Sequence, residues 1–165
     1  MSGTTKSGRP EPSLQERFAP TSTCFGCGPA NPQGLQIQSF LKAGTTETLL
    51  CTWRPADHHA AYATFVNGGV IGAIFDCHSN WAATWHLMQR DALDNPPCTV
   101  TGDFQVRFKR PTPMTEPLLL EATAVASKGS KVEVEATLAV GQKVTATCNG
   151  TFIAVKPGHP AYHRW

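Results

Sequence analysis

The sequence predicts an α+β domain in which a mostly antiparallel sheet presents one apolar face to a single long helix. Two changes of pattern carry that prediction. From Gly68 to about Arg90 apolar residues recur at intervals of three and four, and after Pro97 the period drops to two. At 165 residues the chain suits one hydrophobic core better than two.

Taken in order, residues 1–18 read as a flexible N-terminal tail and 19–165 as the single domain, because the start has no periodic apolar run. The stretch CFGCGPANPQGLQIQSF opens with glycine and proline turns, then alternates through Leu35, Ile37 and Ser39, which predicts a short first strand. TETLLCTW, residues 46 to 53, is the second strand, and RPADHHAAYAT returns to loop. Asn67 is a natural N-cap for the helix, whose expected apolar stripe is Val70, Ile74, Cys77, Trp81, Trp85 and Met88; DNPP at 94–97 forbids continuation. Beyond it, Val100, Phe104, Val106 and Phe108 share one phase. Strands at about 117–127, 130–140 and 143–155 are joined by turns at SKG and GQK.

Composition narrows the function. Fourteen Lys and Arg against twelve Asp and Glu give a net charge of +2 without a basic block, which offers nucleic acid little. No apolar run is long enough to span a bilayer and no secretion signal is evident, so a cytoplasmic protein with no membrane partner is expected, its six cysteines reduced. Only Cys24 and Cys27 have metal-ligand spacing. Two thiols fall short of the usual four ligands, and His58 and His59 nearby read as loop residues, so no metal is assigned.

The stretch FVNGGVIGAIFD, residues 65–76, carries the candidate chemistry. First-turn amides at Gly68 and Gly69 point at whatever anion or carbonyl approaches, with no Cβ in the way, and the helix dipole adds to their pull. Asp76 stands eight residues on, an axial rise of about 12 Å. One carbonyl cannot touch both ends, so a shared site requires the amide from one subunit and the carboxylate from its twofold mate. Asn80, one turn beyond Asp76, is a candidate for orienting water or an acyl group, against the plainer reading of helix-surface polarity. Arg107, Lys109 and Arg110 form a short basic set suited to a phosphate or to a solubilised sheet edge. Trp81 and Trp85 read as core.

NGGVIGAIFD, together with CFGCGPANPQGL, FKRPTP at 108–113 and the closing strands through GTFIAVKPG, resembles the hotdog-fold acyl-CoA thioesterases, especially those related to phenylacetic-acid-pathway and 4-hydroxybenzoyl-CoA thioesterases. The likeness covers nearly all of the chain beyond residue 20. It implies a curved antiparallel β-sheet wrapped around one long central helix, two sheets joined edge to edge, a homodimer or dimer of dimers, and acyl-CoA held between subunits. It implies hydrolysis of an aryl-acyl or short-to-medium-chain acyl-CoA with Asp76 as acidic catalyst and the Gly68 amide, with Gly69 nearby, as oxyanion donor. No cofactor is implied beyond the CoA of the substrate, whose phosphates Lys109 or Arg110 would meet. Asn67 stands where the family usually has histidine; it keeps the cap but cannot titrate. Hydratase or dehydratase chemistry on the same architecture and noncatalytic acyl-CoA binding are the competing expectations.

Overall fold

A computed structural model describes residues 11–163. Its centre is α2 (Gly68–Arg90), 23 residues and about 34 Å long, which begins and ends where the pattern of the sequence places it. Around it six strands form one antiparallel sheet in the order β1–β2–β6–β7–β8–β5: β1 (Phe40–Leu41), β2 (Thr48–Trp53), β5 (Thr99–Phe108), β6 (Leu118–Lys128), β7 (Lys131–Val140) and β8 (Lys143–Ala154). The consecutive pairs β6–β7 and β7–β8 are hairpins, with Gly129 and Gly141 at positive φ in the turns.

The inward face of the sheet follows the period-two reading. Val132, Val134, Ala136, Leu138 and Val140 are buried along β7, opposite Leu118, Leu120 and Ala122 of β6. The helix is covered more widely than one stripe. Ile71, Ile74, Phe75, His78, Trp81, Ala82, Ala83, Leu87 and Met88 are buried, whereas Val70, Cys77 and Trp85 flank the core. The expected stripe was therefore centred too far to one side, because α2 packs against β2, β5, β6, β7 and β8 together.

Three local expectations are corrected. The segment expected to be loose through residue 18 is folded from Ser13 onward: a reciprocal capping box between Ser13 and Glu16 starts α1 (Leu14–Phe18), and Leu14 and Gln15 enter the core. Residues 1–10 of that expected tail, and 164–165, lie outside the described residues. The expected strand at 35–39 does bury Leu35, Ile37 and Ser39 alternately, but Gln36 sits at φ 49° and the backbone bonds go elsewhere. Leu35 N–H donates to the Phe25 carbonyl and Ile37 N–H to that of Gly26, so the CFGC loop takes the place of a neighbouring strand. The loop before α2 contains a small hairpin, β3 (Ala60–Tyr62) and β4 (Phe65–Val66), tied to the segment that follows β5 by Val66 N–H to the Thr112 carbonyl.

A buried polar chain joins these pieces. Gln15 Nε2 donates to Ser39 Oγ (2.9 Å), Ser39 Oγ meets His78 Nδ1 (2.8 Å), and His78 Nε2 meets the Leu49 carbonyl (3.2 Å). The sequence of donors is complete for a neutral imidazole protonated on Nε2. Burial holds His78 down at about 4.

Candidate functional site

The start of α2 is built by Asn67. Its Oδ1 accepts from Gly69 N–H (2.7 Å) and Val70 N–H (3.3 Å), and its carbonyl accepts from Ile71 N–H (3.1 Å). Among the described residues the Gly68 N–H has no acceptor. The expected pair of donors is thus corrected to one, since Gly69 gives its amide to the cap, and a Cβ there would stand 3.0 Å from Asn67 Oδ1. Gly68 borders an open groove of about 360 Å³ that it shares with Tyr62, Ile71, Phe108, Lys109 and Arg110. Both Lys109 and Arg110 send their backbone N–H to the Thr145 carbonyl (2.8 and 3.2 Å), which anchors this end of β5 beside the helix start. Arg107 instead bonds Gln105.

Asp76 and Asn80 lie one turn apart on α2 and meet Thr101 and Thr99, two residues apart on β5. Thr101 Oγ1 donates to Asp76 Oδ1 (2.5 Å); Thr99 Oγ1 donates to Asn80 Oδ1, and Asn80 Nδ2 donates to the Thr99 carbonyl (3.4 Å). The match is metric: four helical residues rise about 6 Å and two strand residues about 6.6 Å, so helix and strand running in opposite senses stay in step over both pairs. Burial raises the Asp76 carboxyl above the usual carboxylate range, the Thr101 hydrogen bond opposes that, and the nearby Cys24 adds to the rise. The second carboxylate oxygen has no hydrogen bond among the described residues. Asn80 is thereby a clasp between α2 and β5 whose flank lines a separate cavity of about 180 Å³ with Cys24, Cys77 and Thr99.

Sequence reasoning passed over Thr99 and Thr101 and read Cys77 only as part of the apolar stripe of the helix. The two threonines were legible in principle, as same-face strand positions whose spacing matches that of Asp76 and Asn80. Cys77 was visible as a residue, but nothing local says that the CFGC loop folds against it. His59 Nδ1 accepts from the Ala56 N–H and its ring stacks near Trp53, which leaves His58 and His59 shaping the turn before α2. Trp81 is core, and Trp85 donates to the Thr46 carbonyl.

The profile of the thioesterase superfamily matches residues 63–147, just over half of the chain and all of the stretch from the helix start to β8. The chain belongs to the thioesterase superfamily, and its helix inside a curved antiparallel sheet is the hotdog fold. Similar solved structures include a thioesterase superfamily protein from Shewanella loihica PV-4 (TM-score 0.60, 25% identity, 78% of this chain and 98% of that one). The E. coli PaaI protein from the phenylacetic acid degradation operon matches with TM-score 0.62 at 14% identity, over 74% of this chain and 81% of that one. A Streptococcus mutans UA159 protein solved bound to acetyl-CoA matches with TM-score 0.60 at 15% identity, over 72% and 88%. Another thioesterase superfamily structure, with TM-score 0.66 and 20% identity over 79% of this chain, is longer, and the match spans 60% of its length. No curated protein sequence matches the chain.

Proposed function

We propose that the protein hydrolyses an acyl-CoA thioester to the free acid and CoA at a site shared by two subunits. The observation that carries the reading is the position of the unpaired Gly68 N–H, at the positive end of a 23-residue helix and in one groove with Lys109 and Arg110. A thioester carbonyl set against that amide would leave the CoA phosphates within reach of two cations. Membership of the superfamily supports the reaction class, and a fold neighbour solved with acetyl-CoA supports the ligand class.

Asp76 of one subunit would act on the carbonyl held by Gly68 of the other. Its free oxygen takes a proton from water as the water oxygen bonds the carbonyl carbon; the oxyanion formed is stabilised by the Gly68 N–H. Collapse re-forms the carbonyl, breaks the carbon–sulfur bond, and the proton on Asp76 passes to the departing thiolate. Thr101 keeps the carboxylate aimed, and its burial makes it a better base than an exposed aspartate. Subunits would join through β5, the longer of the two edge strands of the sheet, which carries the exposed Phe104 and Phe108.

Thiol release from a panel of aryl-, short- and medium-chain acyl-CoA compounds tests this. We expect selective turnover that Asp76→Asn lowers by about 10²–10⁴-fold, the span of a general base, with the oligomer unchanged. Equal rates in folded wild type and variant would remove Asp76 from the mechanism. Saturable acyl-CoA binding without turnover in the wild type would favour the noncatalytic reading.

A further inference from the structure

Outside the groove at the helix start, three thiols come together among the described residues. Cys24 and Cys27 come from the CFGC loop and Cys77 from α2, and the three Sγ atoms all lie within 4.8 Å of one another, with Cys24 and Cys77 3.7 Å apart. We propose that these three cysteines form a binding site for one zinc-class cation per chain, with the fourth coordination position facing the adjoining cavity.

The spacing fits the ion. Zinc–sulfur bonds of about 2.3 Å in a tetrahedron put neighbouring sulfurs about 3.8 Å apart, so the Cys24–Cys77 edge is already at length and the others, within 4.8 Å, would close by no more than about 1 Å. Ligand type fits as well, because thiolates prefer zinc and soft cations to magnesium or calcium. The thiolate is the ligand form of cysteine, so cation binding would displace the thiol protons.

The surroundings are built for close approach. A Cβ on Gly26 would stand 2.3 Å from Cys77 Sγ, and one on Gly28 2.4 Å from the Cys24 nitrogen. Both glycines of CFGCG are therefore needed to seat the loop on the helix. The indole Nε1–H of Trp81 points to Cys27 Sγ at 3.4 Å, an outer hydrogen bond of the sort that orients a thiolate ligand. The remaining side is open: Ser22, Asn80 and Thr99 line the cavity of about 180 Å³ beside the sulfurs, room for a water or a small ligand. Such a site would clip the N-terminal loop to α2 one residue from Asp76. It stands independently of the hydrolase reading, since it neither uses nor requires the groove at Gly68.

Cobalt(II) titration of reduced, chelator-treated full-length protein tests the site, with cobalt as the spectroscopic stand-in for zinc. The expected result is saturation at one equivalent, with sulfur-to-cobalt charge-transfer absorption and tetrahedral ligand-field bands, both abolished by added zinc. Cys24→Ser, at an exposed position, should weaken cobalt binding at least about tenfold; Cys77→Ser should do the same, and Cys148→Ser, at a buried and separate thiol, should not. Absence of the charge-transfer band in folded wild type would overturn the proposal. So would an affinity unaltered in Cys24→Ser, or loss of the band in a folded Cys148→Ser.

Discussion

Asn67 shows how one side chain can serve a site without touching the chemistry. By accepting from the Gly69 and Val70 amides it consumes the second and third donors of the helix and leaves the first alone at the groove. A histidine at this position would bring a titratable ring; asparagine brings only the cap. Asn67→Ala should therefore cost about 1 kcal/mol of stability, within the 0.5–2 kcal/mol of lost N-caps, and Asn67→Asp should keep most of it, since a carboxylate also accepts and favours the positive helix end. Urea denaturation of the three proteins checks this. A loss in Asn67→Ala below about 0.2 kcal/mol would mean that the cap contributes little. The cap itself was legible in the sequence, being a local matter of residue type and position. Which of the two glycine amides stays unpaired was not, because it depends on the rotamer that Asn67 adopts.

At the scale of elements, α1 is the piece that local reasoning discards. Five helical residues carry almost no periodic signal, and their stability comes from what they meet: Gln15 bonds both the N–H and the Oγ of Ser39, and Ser39 in turn bonds His78 inside α2. Gln15→Ala would leave the buried Ser39 N–H without its acceptor and should cost about 1–3 kcal/mol, the penalty of an unsatisfied buried polar group. Thermal unfolding would register it as a lower midpoint. A midpoint unchanged in Gln15→Ala would show that the polar chain is dispensable and that the segment is as peripheral as its composition suggests. The long elements behave differently. Residues 68–90 declare a helix and 131–140 a strand because each buries a face over many residues, and the period of the burial is written in the chain.

At the scale of the molecule, the helix places Gly68 and Asp76 about 12 Å apart along its axis, and the proposed reaction therefore needs two chains. Mixed subunits test this directly. Gly68→Pro removes the amide while keeping a residue suited to the first helical position, and Asp76→Asn removes the base; each variant alone should be nearly inactive. Unfolded together and refolded in equal amounts, half of the pairs would be mixed and each mixed pair would hold one intact site of two, so about a quarter of wild-type activity should return. Activity that stays at the level of the separate variants would place both groups in one chain's site and defeat the shared-site reading.

The sequence by itself determined the α+β class, the extent of α2, the three closing strands and the capped glycine start, because each rests on periodicity or on backbone rules that act within a few residues. It also carried the family resemblance that the superfamily match bears out. Only the tertiary structure decided that residues 35–39 bond a loop instead of a strand, that Asn80 clasps Thr99, and that Cys77 meets Cys24 and Cys27 across fifty or more positions of chain. Those contacts arise where the CFGC loop and β5 close on one helix around a shared cavity, and proximity of that kind is set by how the elements pack, which no local pattern encodes.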